Sequence, residues 1–213
     1  MTRRLILSAA ALSLCLISSL ARAERYTARK TLQDKLLYGI DTAMEKDLQL
    51  HRLMTNLGTI GFKYTGQRSA AQGLLAGTKP AEGDCGTLVA LFALTAKSKL
   101  GIDTRNGAYQ PSFGKGLWVN PVKIVDPARG EGNVDNGKGW FFTEHYWCTY
   151  NGKVFDVLFM KEYASIQEHK KSYTEIPYSK DSQGTSFTVE GKKYVTNPDG
   201  DKASPKNRYV PTK

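Results

Sequence analysis

Trp140-Phe141-Phe142-Thr143-Glu144-His145-Tyr146-Trp147-Cys148-Thr149-Tyr150-Asn151-Gly152-Lys153-Val154-Phe155-Asp156 is the stretch whose reading decides the fold, with Val157 to Met160 continuing it. Two aromatic and β-branched runs flank Asn151-Gly152, a dipeptide that accepts the positive φ angles of a two-residue type I′ turn. A hairpin of Trp140 to Tyr150 against Lys153 to Met160 is expected. The turn fixes its register: Tyr150 faces Lys153, Trp147 faces Asp156 and His145 faces Leu158. Opposed residues share a face, and so do residues two apart along a strand. His145, Trp147 and Asp156 therefore share one face, with His145 and Asp156 diagonal, about 7–8 Å apart at the backbone. An aspartate there can accept a hydrogen bond from one imidazole nitrogen and orient the ring. Cys148, an odd offset from His145, is expected on the opposite face with Tyr146, Tyr150 and Phe155.

Upstream, Gly83-Asp84-Cys85 opens a helix expected to run to about Lys99. Its interior (Leu88, Val89, Leu91, Phe92, Ala93, Leu94) is apolar nearly all round, the mark of a helix buried in a domain. Lys97 and Lys99 fall in the last turn and Gly101 is the stop. A cysteine in the first turn meets unpaired N–H groups and the positive end of the helix dipole, which favour a thiolate. The same N–H groups can receive an oxyanion. Chain order Cys85, His145, Asp156 is that of a nucleophile, a base and its orienter. Two competing readings stand beside this one, a Cys85–Cys148 disulfide, the default for exported cysteines, and an inert buried Cys85.

The remaining chain is read more briefly. Thr31 to Leu57 carries Leu32, Leu36, Ile40, Met44 and Leu48 at helical spacing and is one long helix or two shorter ones, ended by Gly58 and Gly61. Tyr64 to Pro80 reads as loop with one short helical turn. Asp103 to Gly139 reads as loop interrupted by a strand over Leu117 to Val125, which Pro121 assigns to an edge or a bulge. Phe187 to Val189 and Lys193 to Val195 form a small hairpin around Glu190-Gly191, and residues 197–213 form a polar tail. Gln67 and Gln72, upstream of Cys85, are candidate oxyanion donors. Trp118 and Trp140 belong to the core or its rim. His51 and His169 read as solvated or structural, and three dispersed histidines show no metal-ligand spacing, so no metal or other cofactor is expected.

The Cys85 segment, Gly83-Asp84-Cys85-Gly86-Thr87-Leu88-Val89-Ala90-Leu91 through Lys99-Leu100-Gly101-Ile102, resembles the cysteine motif of the transglutaminase-like superfamily. His145-Tyr146-Trp147 and Gly152-Lys153-Val154-Phe155-Asp156 resemble its His and Asp motifs. The resemblance spans about Pro80 to Met160, and Asp103-Thr104-Arg105 stands where the family often has a Pro-Ala-Arg-like turn. It implies an α+β, papain-like fold in which a Cys-bearing helix packs on an antiparallel sheet. It implies a triad of Cys85, His145 and Asp156. Asp84, Gly86 and Trp147 are candidate substrate-binding residues, and Trp147 reads equally as a wall of the site or as filling of the sheet. Transglutaminases, deamidases and cysteine peptidases share that superfamily and act on amides through a thioester. The alternatives are a cell-wall peptidase of the group related to phage-tail and lipoprotein hydrolases, and a catalytically silent module that binds peptide or glycan.

Residues 1–23 read as a cleaved signal peptide. Arg3 and Arg4 precede an uncharged apolar run from Leu5 to Leu20, and Ala21-Arg22-Ala23 is a small-x-small cleavage site. The catalytic domain, with its N-terminal helical segment, is expected over 24–196, in a secreted or periplasmic protein. Over the whole chain, 30 Lys and Arg oppose 20 Asp and Glu among 213 residues, a net +10. Removing 23 residues leaves 190 and takes three arginines and no acid, so the charge falls to +7. That charge is scattered, with no basic run interleaved with aromatics, so nucleic acid is not an expected partner. The expected partner is a protein or peptide substrate, cell-wall peptide included, and no segment after Ala23 is long enough to span a membrane.

Overall fold

The computed structural model describes residues 32–65, 67–119, 139–181, 184–196 and 209–211. The signal-peptide reading, Pro121 with the end of its expected strand, and most of the Gly-rich loop after it lie outside those residues. The described chain is mixed α and β: helices, one of them headed by Cys85, pack with antiparallel sheets. Among the described residues no helix is long and apolar enough to cross a membrane.

The N-terminal helical pattern is two helices, α1 (residues 32–37) and α2 (Lys46–Leu57). Gly39, at φ +66°, breaks the path between them. Two buried amides of α2 then tie the connection down: Gln49 donates to the carbonyls of Thr42 and Met44, and Asn56 to those of Leu36 and Tyr38. Because the pattern is interrupted, its phase is lost, and Leu48 faces solvent while Leu50, Leu53 and Met54 enter the core. The loop that follows contains β1 (Lys63–Tyr64), the short helix α3 (Ala71–Leu75) and β2 (Glu82–Gly83), with β1 and β2 paired in parallel.

Helix α4 (Cys85–Thr95) continues as a π turn over Ala96–Leu100 and ends at Gly101, φ +65°. It occupies the middle of the main core, where Leu88, Val89, Leu91 and Phe92 are at most 2 % exposed. On one side lies a four-stranded antiparallel sheet in the order β3 (Arg105–Tyr109), β6 (His145–Tyr150), β7 (Lys153–Asp156), β8 (Lys161–Tyr163). The turn between β6 and β7 has Asn151 at φ +48° and Gly152 at +82°, and the register pairs Tyr150 with Lys153 and Cys148 with Phe155, as the Asn-Gly turn requires. Strand β3 falls in sequence that reads as loop. All of β3 pairs with β6, from Arg105 opposite Thr149 to Tyr109 opposite His145, and Gly107 lies opposite Trp147, where a Cβ would run into the indole ring.

The second sheet has six strands in the order β12 (Tyr209–Pro211), β11 (Lys192–Thr196), β10 (Gly184–Val189), β9 (Thr174–Asp181), β4 (Lys115–Val119), β5 (Trp140–Phe142). The expected edge strand is β4, which lies inside the sheet between β9 and β5. The hairpin around Glu190-Gly191 is β10–β11, and within the segment read as a polar tail, 209–211 adds a strand to β11. Trp118, Phe141, Ile176, Phe187 and Tyr194 form a separate cluster on this sheet, and Trp140 joins the main core. The run read as one strand, Trp140 to Tyr150, is divided at Thr143-Glu144. Its first part belongs to the large sheet and its second to the small one, so His145 stands at the junction of the two.

Candidate functional site

The N-terminus of α4 is built around Thr87. Asp84 is the N-cap: its Oδ1 accepts from the Thr87 N–H at 2.7 Å, and the Thr87 hydroxyl accepts in turn from the Asp84 N–H. The same hydroxyl accepts from the Ser69 N–H at 2.9 Å, strapping the preceding loop to the helix. This capping box uses the N–H groups of Asp84 and Thr87 and leaves out those of Cys85 and Gly86 in the first turn. Gly83 must be glycine here, because a Cβ would collide with the Thr87 side chain. Cys85 is 5 % exposed.

His145 and Asp156 are both 0 % exposed, and the imidazole Nε2 lies 3.0 Å from Asp156 Oδ2. Burial disfavours the imidazolium, but the Asp156 charge and hydrogen bond outweigh it, and with the Cys85 thiol they push His145 up to about 10. Asp156 is held below the usual carboxylate range: burial opposes this, and the His145 and His169 contacts prevail. Since Nε2 carries the bond to Asp156, the nitrogen left for the thiol is Nδ1, which closes no hydrogen bond among the described residues. Cys85 lies near enough to raise the imidazole, through a contact longer than a closed hydrogen bond, a looseness usual before substrate binds. The arrangement puts an ionisable imidazole, oriented by Asp156, beside a thiol heading a helix.

The two cysteines are unequal. Both are free thiols, and Cys148 points its Sγ at the Val89 carbonyl of α4 (3.7 Å) and Asn106 Oδ1 (3.6 Å). Burial pushes the Cys148 thiol up to about 12.

Of the residues expected to line a substrate site, Trp147 is core. It is 2 % exposed, packed with Val154 and Tyr163 and edge-on to His169 at 4.5 Å. Asp84 is occupied as N-cap and pairs with Arg68, whose Nε lies 3.3 Å from Oδ2. Gly86 lies beneath that guanidinium, which would meet any Cβ there, and Arg68 also stacks over Tyr146 at 4.9 Å. Arg68 was not singled out by its sequence context; it is the residue that covers the first turn of α4. Gln67 and Gln72 are exposed. A groove of about 510 Å³, lined by Phe113, Lys115, Tyr178 and Lys180 among others, borders Thr143-Glu144 just before His145.

His169 is structural rather than solvated, the second of the two readings its sequence left open. It sits on α5 (Ile166–Lys170), fully buried, with Nε2 2.9 Å from Asp156 Oδ2. The Tyr173 hydroxyl donates to the same oxygen at 2.5 Å and lies 2.7 Å from His169 Nε2. Two of the three histidines that look dispersed in sequence therefore converge, and His145, Asp156 and His169 bring three potential metal-ligating atoms within 4.8 Å of one another. The imidazole Nε2 atoms and Asp156 Oδ2 hydrogen-bond one another, and the Tyr173 hydroxyl bonds to Oδ2 and to His169 Nε2, which forms a buried proton network. His51, by contrast, is exposed and pairs with Glu162 at 2.7 Å.

Compared with known proteins, the chain matches no family model, no curated protein and no solved structure.

Proposed function

We propose that the protein is an exported thiol enzyme of papain-like, transglutaminase-like architecture that attacks amide bonds. The observation that carries this reading is one buried ring between two groups: Nε2 is bound to Asp156, Nδ1 has no partner among the described residues, and Cys85 at the head of α4 acts on the imidazole. His145 takes the thiol proton and Asp156 keeps the ring oriented. The thiolate adds to the carbonyl carbon of a peptide or glutamine carboxamide, and the oxyanion faces the first-turn N–H groups of Cys85 and Gly86. The C–N bond breaks as His145 returns its proton to the leaving amine or ammonia, and a thioester remains. Water then gives hydrolysis or deamidation, and an amine gives cross-linking. The sequence pattern of residues 1–23 supports export.

The test is amide turnover, read as ammonia or amine release from glutamine peptides and cell-wall peptides, with Cys85→Ala and His145→Gln alongside. Loss of turnover in both variants is expected, and undiminished turnover in Cys85→Ala overturns the reading. A silent binding module is the second reading, favoured by the enclosure of Cys85, His145 and Asp156. Rapid iodoacetamide reaction at Cys85, abolished in His145→Gln, distinguishes the enzyme from the module.

A further inference from the structure

Asp156 Oδ2 is an unusual acceptor. A buried aspartate that only orients a histidine needs one donor, yet three converge on this single oxygen: His145 Nε2, His169 Nε2 and the Tyr173 hydroxyl. Oδ1 takes only the Phe159 N–H, at 3.4 Å. His169 and Tyr173 also bond each other, and their spacing of four sets them on one face of α5 and the turn beyond it. His169 Nδ1 has no partner among the described residues. The tautomer with its proton on Nε2 therefore leaves only an acceptor unpaired, and that proton lies between the carboxylate and the phenol oxygen. Trp147 and Tyr163 pack edge-on against the His169 ring at 4.5 and 4.8 Å and fix its plane.

We propose that His169 and Tyr173 are positioning residues: they clamp the Asp156 carboxylate and share its charge, so that His145 is held on Oδ2 with Nδ1 toward Cys85. The inference rests on Cys85, His145 and Asp156 being the reacting set. It accounts for two buried polar side chains that the chemistry of that set does not itself require. The two clamp donors also compete with His145 for Oδ2, so removing one strengthens the aspartate's hold on the imidazole proton.

The titratable groups facing His145 and Asp156 are Cys85 from α4, His169 and Tyr173 from α5 and its following turn, Tyr163 from β8, and Tyr109, opposite His145 on β3. The experiment is an NMR titration of the His145 ring in the full chain. Tyr173→Phe and His169→Leu each remove one donor, and His169→Gln restores an N–H near the Nε2 position. The His145 midpoint is expected to rise by up to about one pH unit in the first two, about tenfold tighter proton binding, and to return toward native in the third. A native midpoint in Tyr173→Phe overturns the inference, even if that variant melts earlier, because a merely structural role lowers stability alone. Should His169→Leu fail to fold, Tyr173→Phe decides by itself. A stoichiometric divalent metal in the native protein, measured by elemental analysis, also overturns it. Iodoacetamide labelling of Cys85 in His145→Gln separates the two failures. If labelling is lost there while Tyr173→Phe titrates as native, only the clamp fails; if labelling is unchanged, the reading of the reacting set fails too.

Discussion

Thr87→Val is the sharpest test of how the head of α4 is held. Valine keeps the volume and the branched shape, so packing is nearly conserved at a residue that is 0 % exposed. What disappears is one hydroxyl that accepts from the N–H groups of Ser69 (2.9 Å) and Asp84 (3.3 Å) and donates to Asp84 Oδ1. The aspartate keeps the Thr87 N–H, so the principal loss is two part-buried backbone donors left without an acceptor. At about 1 kcal/mol or somewhat more each, the variant loses about 2–3 kcal/mol. For a chain of this length that is a fall in melting temperature of about 4–12 °C. Thr87→Ser, which keeps the hydroxyl and drops one methyl, is expected to lose only about 1 kcal/mol. Thermal unfolding of the two variants side by side reads the difference, and iodoacetamide labelling of Cys85 is expected to slow in the valine variant and not in the serine one. If Thr87→Val melts with or above Thr87→Ser, the hydroxyl does not hold the helix start and the capping argument fails.

Other expectations follow from the same geometry. The His145–Asp156 pair sets a pH window. The imidazole is raised from 6.5 to about 10, so its stabilising effect is whole below 6.5 and is lost as pH climbs through 10. Asp156, lowered from 3.8, contributes above that value and loses its effect only in stronger acid. The stability difference between native protein and His145→Gln should therefore shrink from about pH 7 to about pH 9, by at most about 1.4 kcal/mol per unit; urea unfolding that shows it growing refutes the sign. Gly107→Ala drives a methyl into Trp147 across β3 and β6 and is expected to cost about 1–3 kcal/mol with a shift in tryptophan fluorescence; native stability would show that β3 does not pack as described. Cys148, its thiol pushed up to about 12, should stay unlabelled by iodoacetamide in the folded protein, and peptide mapping that finds it modified as fast as Cys85 contradicts its burial against Val89.

Most of the site's core was legible because it is local. Asn151-Gly152 dictates a two-residue turn, the turn dictates the register, and the register sets His145 beside Asp156. Gly83-Asp84-Cys85 announces a helix start and Gly101 its end, while the part Thr87 plays in the cap shows only in the structure. The break at Gly39 was within reach, since a glycine interrupts the apolar spacing there, but which turn of the pattern survives depends on Gln49 and Asn56 bonding back to the chain before them.

What only the tertiary structure decided is long-range. Arg105 to Tyr109 has no alternation to mark it as a strand, and becomes one because β6 offers an unpaired edge and Gly107 makes room for Trp147. His169 lies among Glu168, Lys170 and Lys171 and looks solvated in sequence, yet α5 turns it inward onto a carboxylate thirteen residues earlier. Tyr173 is invisible as a site residue until that helix docks. By itself the sequence determined the helix that heads with Cys85 and the pairing of His145 with Asp156, because turn and cap chemistry act over a few residues. The company Asp156 keeps, and the covering of Gly86 by Arg68, were settled only by folding. They depend on which distant side chains arrive where a buried charge needs donors.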